Sequence, residues 1–202
     1  IQKMISNKWL GDKTNQGIYK KEKSAGGKSE ILTLDLKKFE YQPKSKTKFP
    51  SLDQVKNIEN VKDRFKILFN SKDRAGEFYR LSFCSLFRYV SYRLPEIAED
   101  LYKIDQAISA GFGWETGPFE IWDILGVADV VKMMEELNLK PAACIYDFIS
   151  KGNTSFYILK NGKKYFYSLT SGDYRLLPGG DNIILLDSHK EKTVWKNEGC
   201  SL

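Results

Sequence analysis

The chain has 202 residues, 42% of them hydrophobic and 13% aromatic, and a formal net charge of +6. This apolar content can form a core and excludes a wholly disordered chain. The basic residues are scattered rather than interleaved with aromatic ones, which argues against a nucleic-acid partner. No stretch approaches the roughly 20 apolar residues of a membrane span, and no signal-peptide pattern is present. We therefore expect a cytoplasmic protein without a membrane partner.

The first fifty residues are predicted to hold little regular structure. Residues 1–20 are typical of a short helix followed by a glycine-containing turn. Residues 21–50 are rich in Lys, Gly and Ser, which is typical of a linker. Because the chain begins at Ile1 rather than Met, we expect it to be part of a longer protein.

Residues 51–151 have the periodicity of a helical bundle of about six helices. Ser51 and Gln54 are predicted to form a capping box at its start. The longest periodic run extends from about Asp73 to Leu94. Pro95 is predicted to end that helix and to begin the next one. The long helix is expected to be covered on more than one side because its apolar positions are many: Phe78, Leu81, Cys84, Leu86, Phe87, Tyr89, Val90 and Tyr92.

Residues 152–202 change from a helical to an alternating pattern. Asn161-Gly162 predicts a type I′ hairpin, because both residues accept positive φ angles. Since an isolated hairpin is marginally stable, this tail is expected to pack on the helices or on a missing neighbour. The predicted strands are Ser155–Lys160, Lys163–Ser168, Tyr174–Leu177, Ile183–Leu186 and Thr193–Trp195.

Cysteine and histidine usage predicts neither a disulfide nor a metal site. Cys84 and Cys144 lie in apolar helical patterns that favour buried thiols, and Cys200 is distant from both. His189 has no ligand residues beside it, so no metal is expected. It is also remote in sequence from Cys84 and Cys144, which argues against a nucleophilic cysteine.

The segment from Gly111 to Gly126 has the most specific pattern in the chain. Its glycines are expected to permit tight turns, and its aromatic residues to bury a large area. Glu115, Glu120 and Asp123 are carboxylates that could be catalytic, although capping of helix starts is the simpler explanation. The residues assigned to this structural motif are Gly111, Gly113, Trp114, Gly117, Pro118 and Asp123.

Preceded by Ile104-Asp105-Gln106-Ala107, this segment resembles the signature of the C-terminal helical domain of 3-hydroxyacyl-CoA dehydrogenases, enzymes of fatty-acid β-oxidation. That family has an Ile-Asp-x-Ala step, then Gly-x-Gly-aromatic, then Gly-Pro-Phe before an Asp and a Gly. The resemblance implies a mainly α fold, a helical bundle of this C-terminal-domain type, with a short β-hairpin-containing tail.

Two further resemblances concern the ends of the chain. The segment Leu10–Lys20 is similar to the Lys-Thr/Asn-Gly-x-Gly-Phe-Tyr string that ends the same helical domain, with Asn15 and Ile18 in place of Gly and Phe. This implies that residues 1–20 end a first repeat and that residues 51–151 form a second one. Residues 193–202 are similar to the first strand of a crotonase-fold enoyl-CoA hydratase, which some multifunctional members carry. The tail is then expected to lead into such a domain.

The family resemblance also implies a division of chemistry. These enzymes oxidise a 3-hydroxyacyl-CoA with NAD, using a His and a Glu of an NAD-binding domain and an Asn-Arg pair of the first helical domain. No glycine-rich dinucleotide fingerprint occurs here, so no catalytic or cofactor-binding residue is expected. Phe87-Arg88 stands where the pair would be, which leaves Arg88 as a weak candidate for substrate binding. The implied partners are the NAD-binding and first helical domains of the same chain, the acyl-CoA, and a second copy in a homo-oligomer.

Two alternatives remain open from the sequence. A basic group could hold the anionic tail of CoA, although no glycine-rich cradle accompanies it: Lys62, Arg64, Lys66 and Arg74. The bundle could instead be a non-catalytic interaction or dimerisation module with aromatic anchors, namely Tyr89, Tyr92, Trp114 and Trp122. A glycine-rich βαβ unit encoded upstream would favour the dehydrogenase.

Overall fold

The computed structural model describes residues 1–23, 27, 29–44 and 47–179. The chain divides into two units, residues 1–48 and the residues from 49 onward. Within the described residues there are eight α-helices and two three-stranded antiparallel sheets. The predicted mainly α fold with a β-containing tail is confirmed.

The first unit contains a small sheet where a linker was predicted for residues 21–50. Helix α1, Gln2–Ser6, and a 3₁₀ turn, Asp12–Thr14, precede it. The strands are β1, Tyr19–Lys23, β2, Ser29–Asp35, and β3, Glu40–Pro43, in the order β1-β2-β3. The prediction was wrong because it rested on the Lys, Gly and Ser content of the segment, whereas the apolar residues around the buried Leu34 form β2.

The second unit begins with seven helices. Their bounds are α2, Pro50–Val55; α3, Val61–Asn70; α4, Arg74–Ile97; α5, Leu101–Phe112; α6, Pro118–Leu125; α7, Val127–Glu136; and α8, Ala143–Ser150. Pro95 lies in the last turn of α4 and does not begin a helix, because a proline there removes only a hydrogen bond near the helix end.

The predicted capping box at Ser51 is also corrected. Ser51 is buried inside α2, and its hydroxyl donates to Oδ1 of Asp73 at 2.9 Å. Asp73 in turn caps α4 by accepting from the Gly76 amide at 2.9 Å. These hydrogen bonds lower the pKa of the Asp73 carboxyl, those from the Gly76 and Ser51 amides most strongly. A residue of α2 therefore helps to hold the start of α4.

The core of the second unit is built around Trp122. This side chain is fully buried and stacks on Phe87 with ring centroids 4.9 Å apart. Phe119 and Phe156 lie 6.3 Å and 5.5 Å from it. Helix α4 contributes only one buried face to this core, so the expectation that it is covered on more than one side was wrong. Its outward apolar residues are exposed: Phe78, Leu81, Tyr89 and Tyr92.

The β-tail packs against the helices. Its strands are β4, Tyr157–Lys160, β5, Lys163–Ser168, and β6, Asp173–Leu176. The predicted hairpin is confirmed by φ angles of 51° at Asn161 and 75° at Gly162. Phe166 is buried and lies 4.7 Å from the ring of Tyr102 on α5. This contact makes the tail part of the helical core.

Several predictions on the tail lie outside the described residues. They are the strands Ile183–Leu186 and Thr193–Trp195, the statements on His189 and Cys200, and the hydratase-like segment 193–202. In the described part, no helix combines the length and the apolar character that crossing a membrane requires.

The two tryptophans of the Gly111–Gly126 segment should differ sharply in their contribution to stability. Trp122 is fully buried, whereas Trp114 is 42% exposed. We expect Trp122→Ala to lower the free energy of unfolding by about 3 to 5 kcal/mol, since it leaves a cavity in the core. Trp114→Ala should cost about 1 kcal/mol or less. Urea unfolding of both variants measures the difference, and equal costs would contradict the assignment of Trp122 to the centre of the core.

Candidate functional site

The Gly111–Gly126 segment forms the end of α5, the connection to α6, and α6 itself. Gly113 ends α5 with φ of 67°, a left-handed conformation that glycine adopts freely. Pro118 is the first residue of α6, directly after Gly117. Gly113, Gly117 and Pro118 therefore lie at the end of α5 and at the start of α6. Gly111 differs, because it lies within α5 and a Cβ added to it would meet no atom within 4 Å.

Gly117 allows α5 and α6 to touch through the backbone. A Cβ added at this residue would lie 2.5 Å from both Cα and Cγ of Asp105, closer than non-bonded carbon atoms can approach. Its φ of −78° is ordinary, so the requirement for glycine here is the space and not the backbone conformation.

Asp105 acts as the N-terminal cap of α6 although it belongs to α5. Its Oδ1 accepts from the Phe119 amide at 2.9 Å, and its Oδ2 accepts from the Glu120 amide at 3.2 Å. These amides are among the helix-start donors that lack a partner within the helix. Since Gly117 has no side chain to cap them, a neighbouring helix supplies the carboxylate. Glu120 completes the cap by accepting from the Gly117 amide at 3.1 Å.

Asp123 joins α6 to the β-tail in a similar way. Its Oδ1 accepts from the Phe156 amide at 2.6 Å, and its Oδ2 accepts from the Tyr157 amide at 2.8 Å. Both carboxylate oxygens are therefore occupied by backbone donors at the start of β4. This geometry supports a structural role for Asp123.

Two residues of the β-tail, Tyr157 and Lys164, join this group of carboxylates. We call Asp105, Glu120, Asp123, Tyr157 and Lys164 the carboxylate cluster. The Tyr157 hydroxyl donates to Oδ2 of Asp105 at 2.7 Å. Lys164 forms an ion pair with Oε1 of Glu120 at 2.5 Å, and its ammonium lies 4.4 Å from the centroid of the Tyr157 ring. A shallow cleft opens beside this cluster. Its lining residues are Lys62, Glu115, Thr116, Glu120, Asp123, Ile124, Tyr157, Leu159 and Lys164.

Burial dominates the electrostatics of this cluster. It raises the pKa of Asp105 to about 7, although hydrogen bonds from Tyr157 and the Phe119 amide oppose the shift. It also raises the pKa of Asp123 to about 7, against the two amide hydrogen bonds that lower it. The pKa of Tyr157 is raised as well, first by burial and then by the adjacent Asp105.

The remaining candidate residues are spread over the second unit, and Lys62 is the one that lines the described cleft beside this cluster. Arg88 is exposed on α4, where its guanidinium lies 5.4 Å from the ring centroid of Tyr92. Of the four basic residues considered for CoA, Lys62 lines the cleft, and Arg64 lines two shallow pockets beside Phe65. Across the residues the structure describes, no group of three His, Cys, Asp or Glu side chains could hold a metal ion.

Sequence reasoning missed the roles of Asp105 and Tyr157. Asp105 was noted only as part of the Ile-Asp-x-Ala step, and its partners follow 14 and 15 residues later. A lone acidic residue on the apolar stripe of α5 was the available signal, because a buried carboxylate requires hydrogen-bond partners.

Alanine should have different effects on stability at two glycines of this junction. Gly117→Ala should lower the free energy of unfolding by about 2 to 3 kcal/mol, since Asp105 must move and its hydrogen bonds weaken. Gly111→Ala is the matched control within α5. It should leave stability unchanged or raise it by up to about 1 kcal/mol, because alanine favours a helix. A neutral Gly117→Ala variant in thermal or urea unfolding would contradict the close approach.

The raised pKa values predict a pH-dependent stability. Between about pH 4 and pH 7 the folded chain holds protons on Asp105 and Asp123 that the unfolded chain releases, so stability falls as the pH rises. Asp123→Asn removes one of the two groups and should flatten this slope. The exposed Asp147→Asn is the control and should retain it. Urea unfolding at several pH values across the window measures the slope, and an unchanged slope in Asp123→Asn would contradict the prediction.

Comparison with known proteins gives relatives for nearly the whole chain, while no protein-family model matches it. The chain is 37% identical over 201 residues to a probable 3-hydroxyacyl-CoA dehydrogenase of Bacillus subtilis, covering 98% of this chain and 25% of that protein. It is 25% identical over 125 residues to a putative fatty acid oxidation complex trifunctional enzyme of Rickettsia felis, covering 61% of this chain and 16% of that protein. The corresponding protein of Rickettsia prowazekii is 26% identical over 126 residues. The chain thus spans a quarter or less of the relatives it matches, and their names are those of 3-hydroxyacyl-CoA dehydrogenases and fatty acid oxidation enzymes.

Proposed function

We propose that this chain is the helical part of an NAD-dependent 3-hydroxyacyl-CoA dehydrogenase of fatty-acid β-oxidation, a cytoplasmic enzyme. The observation that carries the proposal is the 37% identity over 98% of the chain to a protein named as such a dehydrogenase. The α5–α6 junction supports it, because the residues that resemble the family signature are those that fix this junction.

In this proposal the chain is a scaffold for the reaction and does not carry it out. The carboxylate oxygens of Asp105 and Asp123 accept hydrogen bonds from backbone amides, and Asp105 also accepts one from the Tyr157 hydroxyl. A general base needs an oxygen that can reach a substrate proton. The bundle would instead hold the domains of the complete enzyme in place around the acyl-CoA.

The described residues do not fit NAD. Both described sheets are antiparallel, whereas a dinucleotide binds at the carboxyl ends of parallel strands, with a glycine-rich turn at a helix start. We therefore assign the nicotinamide cofactor to a domain outside this chain. Hydride transfer to NAD would be the chemistry of that domain.

The division into repeats is part of the same proposal. Residues 1–20 would end a first helical repeat, residues 51–151 would form a second, and the tail would lead towards a hydratase domain. The conformation of Asn15 supports the first of these statements. Its φ is 55°, a left-handed conformation that glycine adopts freely and that asparagine tolerates.

The activity of the complete gene product tests the proposal. We expect the protein encoded by the whole reading frame to reduce NAD in the presence of a 3-hydroxyacyl-CoA, followed by absorbance at 340 nm. The 202-residue chain alone should show no turnover. A complete product without this activity, or an isolated chain with it, would refute the proposal. The former result would favour the interaction module.

Arg88 separates a scaffold role from a substrate-binding role in that complete product. Because its guanidinium stacks on Tyr92 at the exposed face of α4, we expect Arg88→Ala to change KM for the acyl-CoA by less than about twofold. The exposed Lys140→Ala, between α7 and α8, is a matched control for the loss of one positive charge. A large rise in KM in Arg88→Ala alone would place Arg88 in the substrate site.

A further inference from the structure

A cavity opens between α2, α3 and the N-terminal part of α4. Its volume is about 370 Å³, within the roughly 300 to 1,000 Å³ that small-molecule sites have. Its wall is mostly apolar, as is typical of such sites, and two of the wall residues, Val55 and Leu68, are buried. We call it the α2–α3 cavity and define it by its apolar residues: Leu52, Val55, Val61, Phe65, Leu68 and Tyr79.

The charged residues that line the α2–α3 cavity are both basic. Lys56 directly follows α2, and Arg64 lies on α3. In the described part of the chain, no carboxylate lines this cavity, and no ion pair involves either cation. A molecule that combines an apolar part with a negative charge is therefore complementary to the cavity in both respects.

Arg64 has a polar atom that the fold leaves without a partner. Its Nε is shielded from solvent, and no hydrogen-bond acceptor for it lies among the described residues. Arg80 is different, because its guanidinium donates to the backbone carbonyl of Phe69 at 3.0 Å, near the end of α3. A shielded donor without an acceptor costs free energy, which a ligand that supplies the acceptor recovers in part. Arg64 is thus available to a ligand, whereas Arg80 is part of the fold.

We propose that the α2–α3 cavity binds a linear amphipathic anion, namely a monocarboxylate with an alkyl chain of medium length. The alkyl chain lies against the apolar wall, and the carboxylate binds at the guanidinium of Arg64. Arginine suits this role because its planar fork of donors matches the two oxygens of a carboxylate. The ammonium of Lys56 adds a second positive charge to the same cavity. The proposal concerns this chain alone and does not depend on dehydrogenase activity.

A series of straight-chain carboxylates tests the two parts of the ligand by calorimetric titration of the whole chain. We expect octanoate, below its micelle-forming concentration, to bind as a single molecule per chain. Affinity should rise from butyrate to octanoate by about twofold to fourfold for each added methylene, since each buries more apolar surface. Octanol has the same chain length without the charge and should bind at least about tenfold more weakly. Equal affinities for butyrate and octanoate, or for octanoate and octanol, would refute the proposal.

Substitution of Arg64 tests the contact with the carboxylate. We expect Arg64→Gln to lower the affinity for octanoate by about tenfold or more, and to leave octanol binding unchanged because the alcohol has no charge. Lys72→Gln is the matched control, since it removes one positive charge from an exposed residue that follows α3 and does not line the cavity. It should change octanoate affinity by less than about twofold. Circular dichroism verifies that both variants fold.

The outcomes separate this proposal from the proposed function. An unmodified chain that binds none of the carboxylates would refute the site and leave the cavity to another occupant. Octanoate affinity that is unchanged in Arg64→Gln, or lowered equally in Arg64→Gln and Lys72→Gln, would also refute it. None of these titrations involves NAD or a 3-hydroxyacyl-CoA, so a complete gene product without dehydrogenase activity would contradict the proposed function alone.

Discussion

The close approach of Asp105 to Gly117 is the constraint on which the rest of the second unit depends. It fixes where α6 begins and in which direction it leaves α5. One turn into α6 that direction places Trp122 against Phe87 of α4. The next residue, Asp123, then lies within reach of the amides that begin β4. One missing Cβ thus determines the position of a helix, the centre of the core and the attachment of the sheet.

Burial of two carboxylates so close together has a cost, which the raised pKa values of Asp105 and Asp123 express. The alternative would also be costly, because four backbone amides at the starts of α6 and β4 would lose their acceptors. Hydrophobic contacts around Trp122 could form in many similar packing arrangements. A carboxylate that accepts hydrogen bonds from two amides is compatible with few arrangements. The carboxylates therefore specify the junction more than they stabilise it.

The elements that sequence reasoning predicted well are those whose cause is local. Gly113 ends a helix and Asn161-Gly162 turns a hairpin because their own backbone angles require it. The cap at α6 could not be predicted from Gly117, since its acceptor comes from another helix. The sequence periodicity of α4 also showed that apolar residues occur on several of its faces. Which of them are covered depends on the packing of neighbouring helices, as exposed Tyr89 and buried Val90 illustrate.

The attachment of the tail has a consequence for how this chain folds during synthesis. Trp122 and Phe119 make ring contacts with Phe156, and Asp105 binds Tyr157, which follows it by 52 residues. In a nascent chain of which only the helices have left the ribosome, these aromatic rings would remain in contact with water. The carboxylates would also lack the hydrogen-bond donors at the start of β4. The bundle can therefore reach its native packing only after the start of β4 has emerged from the ribosome. Until then these rings remain exposed, and exposed apolar surface favours aggregation.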